Sequence, residues 1–164
     1  MELISQKTID ILNLRIQQEQ MASKLYEQMY LWLSDKSLIN SAEFMKHNYL
    51  SELEHAGWAK EYLLSFDIMP ELATIEEPVN TFSSLQDIFD KVYEQEVLTT
   101  RQCLELTKHA MDEPDYNLLT LAQKFNAEQV HELDEINNIL DVLKLSSDLL
   151  IVDHYIGDML NKGN

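Results

Sequence analysis

Scarcity sets the first bounds on this chain. Three glycines and three prolines among 164 residues leave few places for tight turns or helix breaks. Helix formers dominate instead, which makes an all-α fold the default. The single cysteine, Cys103, excludes internal disulfides and fits a reducing cytoplasm. On its helix it reads as a small buried hydrophobe. No apolar run approaches the ~20 residues of a membrane span. Met1 to Arg15 alternates polar and apolar residues and lacks the apolar block of a signal peptide, so a cytoplasmic location without a membrane is expected. Positive charge is also short: 12 Lys and Arg face 29 Asp and Glu, a net charge of −17. That balance argues against nucleic acid and anionic membrane surfaces as partners. It suits cations, although solubility alone would explain it. The length fits one domain, 1–164, with a sizeable core.

What is present is periodic. The first helix is expected from about Gln6 to Leu33, with a stripe at Ile9, Leu12, Ile16, Glu19, Ala22, Tyr26, Met29 and Leu33. After a polar stretch from Ser34, with Asn40 or Ser41 as a helix cap, a second stripe runs through Met45, Tyr49, Glu52, His55, Ala59, Tyr62 and Phe66. Periodicity fails from Asp67 to Ser84, where Pro70, Pro78, Asn80 and Thr81 mark one long connection. Ser83 or Ser84 can cap a third helix, with a stripe at Leu85, Phe89, Val92, Glu96, Thr99, Cys103, Leu106 and Ala110. Asp112, Glu113 and Pro114 break it. The fourth stripe holds Leu118, Ala122, Phe125, Gln129, Glu132, Ile136, Leu140 and Leu143. The bundle thus occupies about 6–144. An amphipathic tail of about 147–161 follows, its apolar positions being Leu150, Ile151, Tyr155 and Leu160, and it needs something outside the four-helix core to pack on. Short, long, short connections describe a four-helix bundle with a long crossover between helices two and three and a short fifth C-terminal helix. That is the ferritin-like topology, distinct from a simple up-and-down bundle.

Each apolar stripe is interrupted near its middle by a carboxylate: Glu19, Glu52 with His55, Glu96, and Glu132. An ionised carboxylate in a core costs several kcal/mol unless something neutralises it, and several together repel one another. A pair of metal cations solves both problems. Glu and His three apart on a helix project from one face and can bind one metal. Carboxylates with one imidazole suit iron or manganese, whereas structural zinc sites usually include thiolate. Any one of these residues is more simply an edge position on a solvated face. Four interruptions at matching depth favour the metal site.

The fourth helix also contains a literal Glu128-x-x-His131. Because the stripe itself runs through Gln129 and Glu132, those two belong at the centre, and Glu128 and His131 at its inner flank. Tyr26 lies two turns beyond Glu19 on the same face, within reach to donate a hydrogen bond or an electron; an ordinary core tyrosine is the plain alternative. His47, His109 and His154 read as surface residues.

The segments EQMASKLYEQM (Glu19–Met29), ELEHA (Glu52–Ala56), YEQE (Tyr93–Glu96), AEQVHELDE (Ala127–Glu135) and FSSLQDIF (Phe82–Phe89) resemble those of bacterial non-haem ferritins, in spacing as well as in residues. The resemblance implies a homo-oligomeric shell of 24 subunits that oxidises Fe(II) with O2 or H2O2 and stores ferric mineral. By matched position, Glu19, Glu52 and His55 hold the first iron. Glu52 bridges to a second held by Glu96 and Glu132, with Gln129 nearby and Tyr26 adjacent. Departures carry information. Ser51 and His131 stand where such ferritins often place carboxylates of a third iron site, which leaves Glu128 and Glu132 as family-like ligands and implies weak iron there. Leu119 and Ala122 stand where animal ferritins line their three-fold pores with carboxylates. Leu53 follows the bridging Glu where bacterioferritins carry a haem-ligating Met, so no haem is expected.

A ferroxidase with iron storage is therefore the leading expectation. A peroxidase of the rubrerythrin kind usually adds a cysteine-rich iron site that one cysteine does not supply. A di-iron oxygenase and a non-enzymatic, cation-sequestering assembly remain as rivals.

Overall fold

A computed structural model describes residues 3–163. Met1, Glu2 and Asn164, which the expected domain of 1–164 includes, lie outside them. The fold is all-α: α1 (Gln6–Asp35), α2 (Ile39–Ser65), α3 (Leu85–Asp112), α4 (Tyr116–Leu145) and α5 (Leu149–Lys162). Among the described residues there is no strand, and no helix is long and apolar enough to cross a membrane.

Local chemistry explains most helix ends. Ser5, Ser84, Asp115 and Asp148 each accept a backbone N–H of the first turn of their helix, the usual N-cap arrangement. Helices α1 and α2 both close in the Schellman arrangement. Leu38 N and Ile68 N each donate to a Leu carbonyl five residues back, Leu33 and Leu63, at 3.1 and 3.0 Å. The left-handed C′ position that this motif needs is filled by Ser37 (φ 60°) and Asp67 (φ 59°) rather than glycine.

The crossover, residues 66–84, is irregular but tied down. Glu71 N donates to Asn13 Oδ1 at 2.9 Å, Gln17 Nε2 donates to the Thr74 carbonyl at 2.9 Å, and Phe82 meets Trp32 edge-on. The segment therefore climbs α1 from its first half to its last turn. That climb starts α3 at the level where α2 starts, so α2 and α3 run parallel while α1 and α4 run the other way. The long crossover expected between helices two and three is this segment.

Two expectations need correction. Asn40 and Ser41 do not cap α2; they lie inside its first turn, and Leu38 at the N-cap offers no side-chain bond. The cap comes from α5. Asp153 accepts from Ser41 N at 2.8 Å, Ser41 Oγ at 2.6 Å and Asn40 N at 3.2 Å. A carboxylate at a helix N-terminus also gains from the helix dipole. The tail therefore does find a place on its own bundle, across the end of α2 and beside α4. Its buried positions are Val152, Asp153, Ile156 and Gly157. Leu150 and Ile151, two of its apolar positions, face away from this bundle, 77% and 58% exposed. Gly157 is required by close approach: a Cβ there would sit 2.6 Å from Asn40 Cγ.

The stripes hold through the middle of each helix and drift at the ends. Leu63 and Ile139 are fully buried, whereas Tyr62 and Leu140 beside them are only half-buried, as expected when a 3.6-residue turn outruns a 3.5-residue repeat. Two apolar clusters result. One, around Met29, Leu33, Met45, Phe89 and Ile139, includes Val152 and Ile156 of α5. The other, around Leu12, Ile16, Leu63, Cys103, Leu106 and Phe125, fills the opposite end. Cys103 is a buried core residue. Most of the buried acidic side chains lie in the band between the clusters.

Candidate metal centre

Glu19 on α1, Glu52 and His55 on α2, Glu96 on α3 and Glu132 on α4 are all buried in that band. The bundle brings together every stripe-interrupting carboxylate that the periodicity singled out. They form two overlapping groups. In one, Glu19, Glu52 and His55 present ligand atoms all within 4.8 Å of one another; in the other, Glu52, Glu96 and Glu132 do the same. Glu52 belongs to both, which is the position a bridging carboxylate needs.

The two groups keep their carboxylates buried by different means. In the first, His55 Nδ1 lies 3.1 Å from Glu52 Oε2 and 3.7 Å from Glu19 Oε2. Its ring is packed against Trp58 and Phe125, which fixes its orientation, and Ser51 Oγ sits 3.4 Å from its other nitrogen. In the second, Tyr26 Oη donates to Glu96 Oε1 at 2.5 Å, and Gln129 Nε2 donates to Glu96 Oε2 at 2.9 Å. Gln129 also donates to Thr100 Oγ1 at 3.2 Å. Its amide thus holds Glu96 in place and turns its nitrogen, not a ligand oxygen, towards that carboxylate.

Burial and mutual repulsion set the protonation. Desolvation pushes the Glu132 carboxyl far above the ordinary carboxylate range, with Glu96 and Glu52 adding to it. Burial likewise raises Glu52, against the pull of the His55 hydrogen bond. Tyr26 is raised well above the usual phenol value by burial and by Glu96, so its hydroxyl stays protonated. The buried oxygens Glu52 Oε1 and Glu132 Oε2 have no hydrogen-bond partner. Unpartnered buried acceptors are costly, and cations between the carboxylates would satisfy them.

Glu128 and His131 part company. Glu128 joins His55 and Glu132 in a third group of ligand atoms within the same 4.8 Å. His131 is exposed and turned to Glu135, with Nε2 2.9 Å from Oε1. Both line a cleft of about 200 Å³ that reaches Glu132 past His47 and Ser51. His47 and His154 are exposed. His109 is not a surface residue as expected: it is buried and bonded through Nε2 to Thr8 Oγ1 at 2.9 Å.

Arg15 escaped the stripe reading. Its side chain is fully buried and ion-paired through Nη2 with Glu19 Oε1. Nη1 donates to Gln18 Oε1 at 2.8 Å and Gln102 Oε1 at 3.1 Å, and the guanidinium lies 5.1 Å over the Phe125 ring. Its signal in the sequence was spacing alone: a cation four residues before Glu19 on the same face.

The profile of the ferritin-like domain family matches residues 9–146. A bacterial non-heme ferritin of Campylobacter jejuni is 30% identical over 158 residues, covering 94% of this chain and 95% of that protein. A probable bacterial non-heme ferritin-like protein of Haemophilus influenzae is 26% identical over 98% of this chain and 99% of its own length. Among solved structures, an open-pore ferritin of Archaeoglobus fulgidus superposes with a TM-score of 0.90 at 29% identity, covering 96% of this chain and 98% of that one.

Proposed function

The chain belongs to the ferritin-like family, alongside bacterial non-haem ferritins whose role is iron storage, and from that premise we propose that it is a ferroxidase that loads iron into a shell of its own copies. The observation that carries this reading is the membership of Glu52 in two three-ligand groups. Glu19, His55 and Glu52 take one Fe(II); Glu52, Glu96 and Glu132 take the second. Two-metal chemistry needs a separation of about 3.5–4 Å, which a shared carboxylate enforces. Each Fe(II) gives up one electron. Together they reduce O2 and two protons to H2O2, or H2O2 and two protons to two waters.

The residues around the groups supply the rest. Carboxylates favour the higher charge of Fe(III) and so lower the potential of the couple. Burial raises Glu132 far above and Glu52 above the ordinary carboxylate range, so whatever protons they carry are released as cations replace them. Tyr26 and Gln129 hold both oxygens of Glu96, so its orientation changes little as iron arrives; Tyr26 is also an oxidisable side chain bonded directly to a ligand of the site. Glu128 offers a weak third position towards the cleft, in a group with His55 and Glu132, while His131 is turned away to Glu135. The family likeness supports a 24-subunit homo-oligomer in the cytoplasm, with iron as cargo and no haem.

The test is Glu52→Ala. Initial Fe(II) oxidation, followed by O2 uptake, is expected to fall about 100-fold or more, at least the upper end of the roughly 10–100-fold that loss of an outer-shell partner costs. An unchanged initial rate would remove the bridging assignment. Particle mass and mineral content after iron loading separate a storage shell from a di-iron oxidase that stores nothing.

A further inference from the structure

We propose that Arg15 is a resident counter-ion of the first metal position, one that keeps the empty site assembled and weakens the binding of the first cation. This rests on the di-metal reading of the site.

A buried arginine beside a metal site is costly to keep. Charged side chains are almost never fully buried unless paired, and a guanidinium stays charged at every pH the fold survives. Arg15 is nonetheless 1% exposed and ion-paired with Glu19, itself 1% exposed. Gln18 and Gln102 accept from one end of the guanidinium and Phe125 stacks under its face, so the group is aimed. Arg15 Nε, also buried, reaches no acceptor.

The geometry divides the Glu19 carboxylate between two tasks. Oε1 faces Arg15, while Oε2 faces His55 at 3.7 Å. Glu19 is therefore oriented for a metal before one arrives, but with a single free oxygen. A divalent cation between Glu19, Glu52 and His55 must share that carboxylate with a fixed positive charge. Repulsion between the two cations across a few ångströms, at an effective dielectric of about 20, outweighs a ten-fold factor in affinity. Among the described residues no comparable cation stands beside Glu96 or Glu132; Glu96 accepts from Tyr26 and Gln129, and burial favours the proton on Glu132. The first position is accordingly the weaker and more exchangeable of the two. For a site that must pass its ions onward, that is a working property.

Co(II) serves as the probe, because its visible spectrum reports coordination without turnover. The titrated proteins are the native assembly, Arg15→Gln and Arg15→Met; the second keeps bulk against Phe125 if the first fails to assemble. Native protein is expected to bind two Co(II) per subunit in distinguishable steps. Either variant should tighten the weaker step at least about ten-fold, leave the stronger step within about three-fold, and melt at lower temperature than native when metal-free. Saturating Co(II) should then raise the variant's melting temperature more than the native one. Two equivalent native steps, or a weaker step unchanged or weakened in a folded variant, would overturn the inference while leaving the metal centre standing. If native protein bound no Co(II) in its core, the metal centre itself would be wrong and this inference with it.

Discussion

The two halves of the acidic band solve one electrostatic problem in two ways. On the α1–α2 side, Glu19 and Glu52 are held by cationic or potentially cationic partners, Arg15 and His55. On the α3–α4 side, Glu96 is held by neutral donors, Tyr26 and Gln129, while Glu132 keeps its proton. The first half sets positive charge beside its carboxylates; the second relies on neutral donors and on a carboxyl whose burial favours its proton. On the proposed reading, metal arriving at the second half would displace protons, and metal arriving at the first would contend with a side chain that cannot leave.

The largest test of this contrast compares two isosteric changes. Glu19→Gln strands Arg15 in the core, and breaking one partner of a buried pair costs about 3–5 kcal/mol. Glu132→Gln replaces a carboxyl whose raised folded-state value favours the neutral form with a neutral isostere, so it should cost no stability and should gain it as pH rises above about 5. Denaturant unfolding of the metal-free proteins measures both. Equal losses would erase the distinction between the halves.

The second test uses pH. Glu52 and Glu132 have their carboxyls raised in the folded state from a reference of 4.5, so the native state binds more protons than the unfolded chain. Their stabilising effect is complete below that reference and is lost as pH rises above it, by about 1.4 kcal/mol per unit for each group. The metal-free native protein should therefore lose stability relative to Glu132→Gln as pH climbs from about 5 to 7. A flat difference across that window would mean that Glu132 is ionised when empty. Metal binding should release protons, measurable in lightly buffered solution on adding Co(II).

The two ends of the bundle allow smaller tests. At one end α5 caps α2 through Asp153; at the other Thr8 of α1 is bonded to His109 of α3. Asp153→Ala removes charge-assisted bonds to Ser41 and Asn40, a loss of about 2 kcal/mol, and should speed proteolysis within α5 while the spectra of the metal site remain as in the native protein. Slow cleavage at native rates would show that Val152 and Ile156 hold the tail by themselves. Smallest of all, Ser37→Gly relieves a left-handed residue in the α1–α2 turn and should stabilise by up to about 1 kcal/mol. A destabilised Ser37→Gly would mean that unfolded-chain entropy outweighs the strain.

Sequence reading reached the fold because helix periodicity is local, and the connection lengths near Asp67–Ser84 left little choice of topology. It reached Glu19, Glu52, His55, Glu96 and Glu132 because each interrupts an apolar stripe, a contradiction visible in one helix at a time. It failed where the partner lies far along the chain. Asp153 caps a helix that begins 114 residues earlier, and nothing near Leu38 announces it. His109 reads as surface until Thr8, 101 residues away, is brought against it. Glu128 and His131 look like one motif, yet the helix sends Glu128 towards Glu132 and leaves His131 outside.

By itself, then, the sequence determined that helices would pack in a bundle with acids in the core, because burying apolar stripes dictates which faces meet. Tertiary structure alone decided how those acids are neutralised: which oxygen meets Arg15, which keeps a proton, which accepts from Tyr26. Those outcomes depend on distances of a few ångströms between side chains from different helices, in a medium where charge is weakly screened. Spacing along the chain does not encode such distances, so the chemistry of the site became visible only once the four helices stood together.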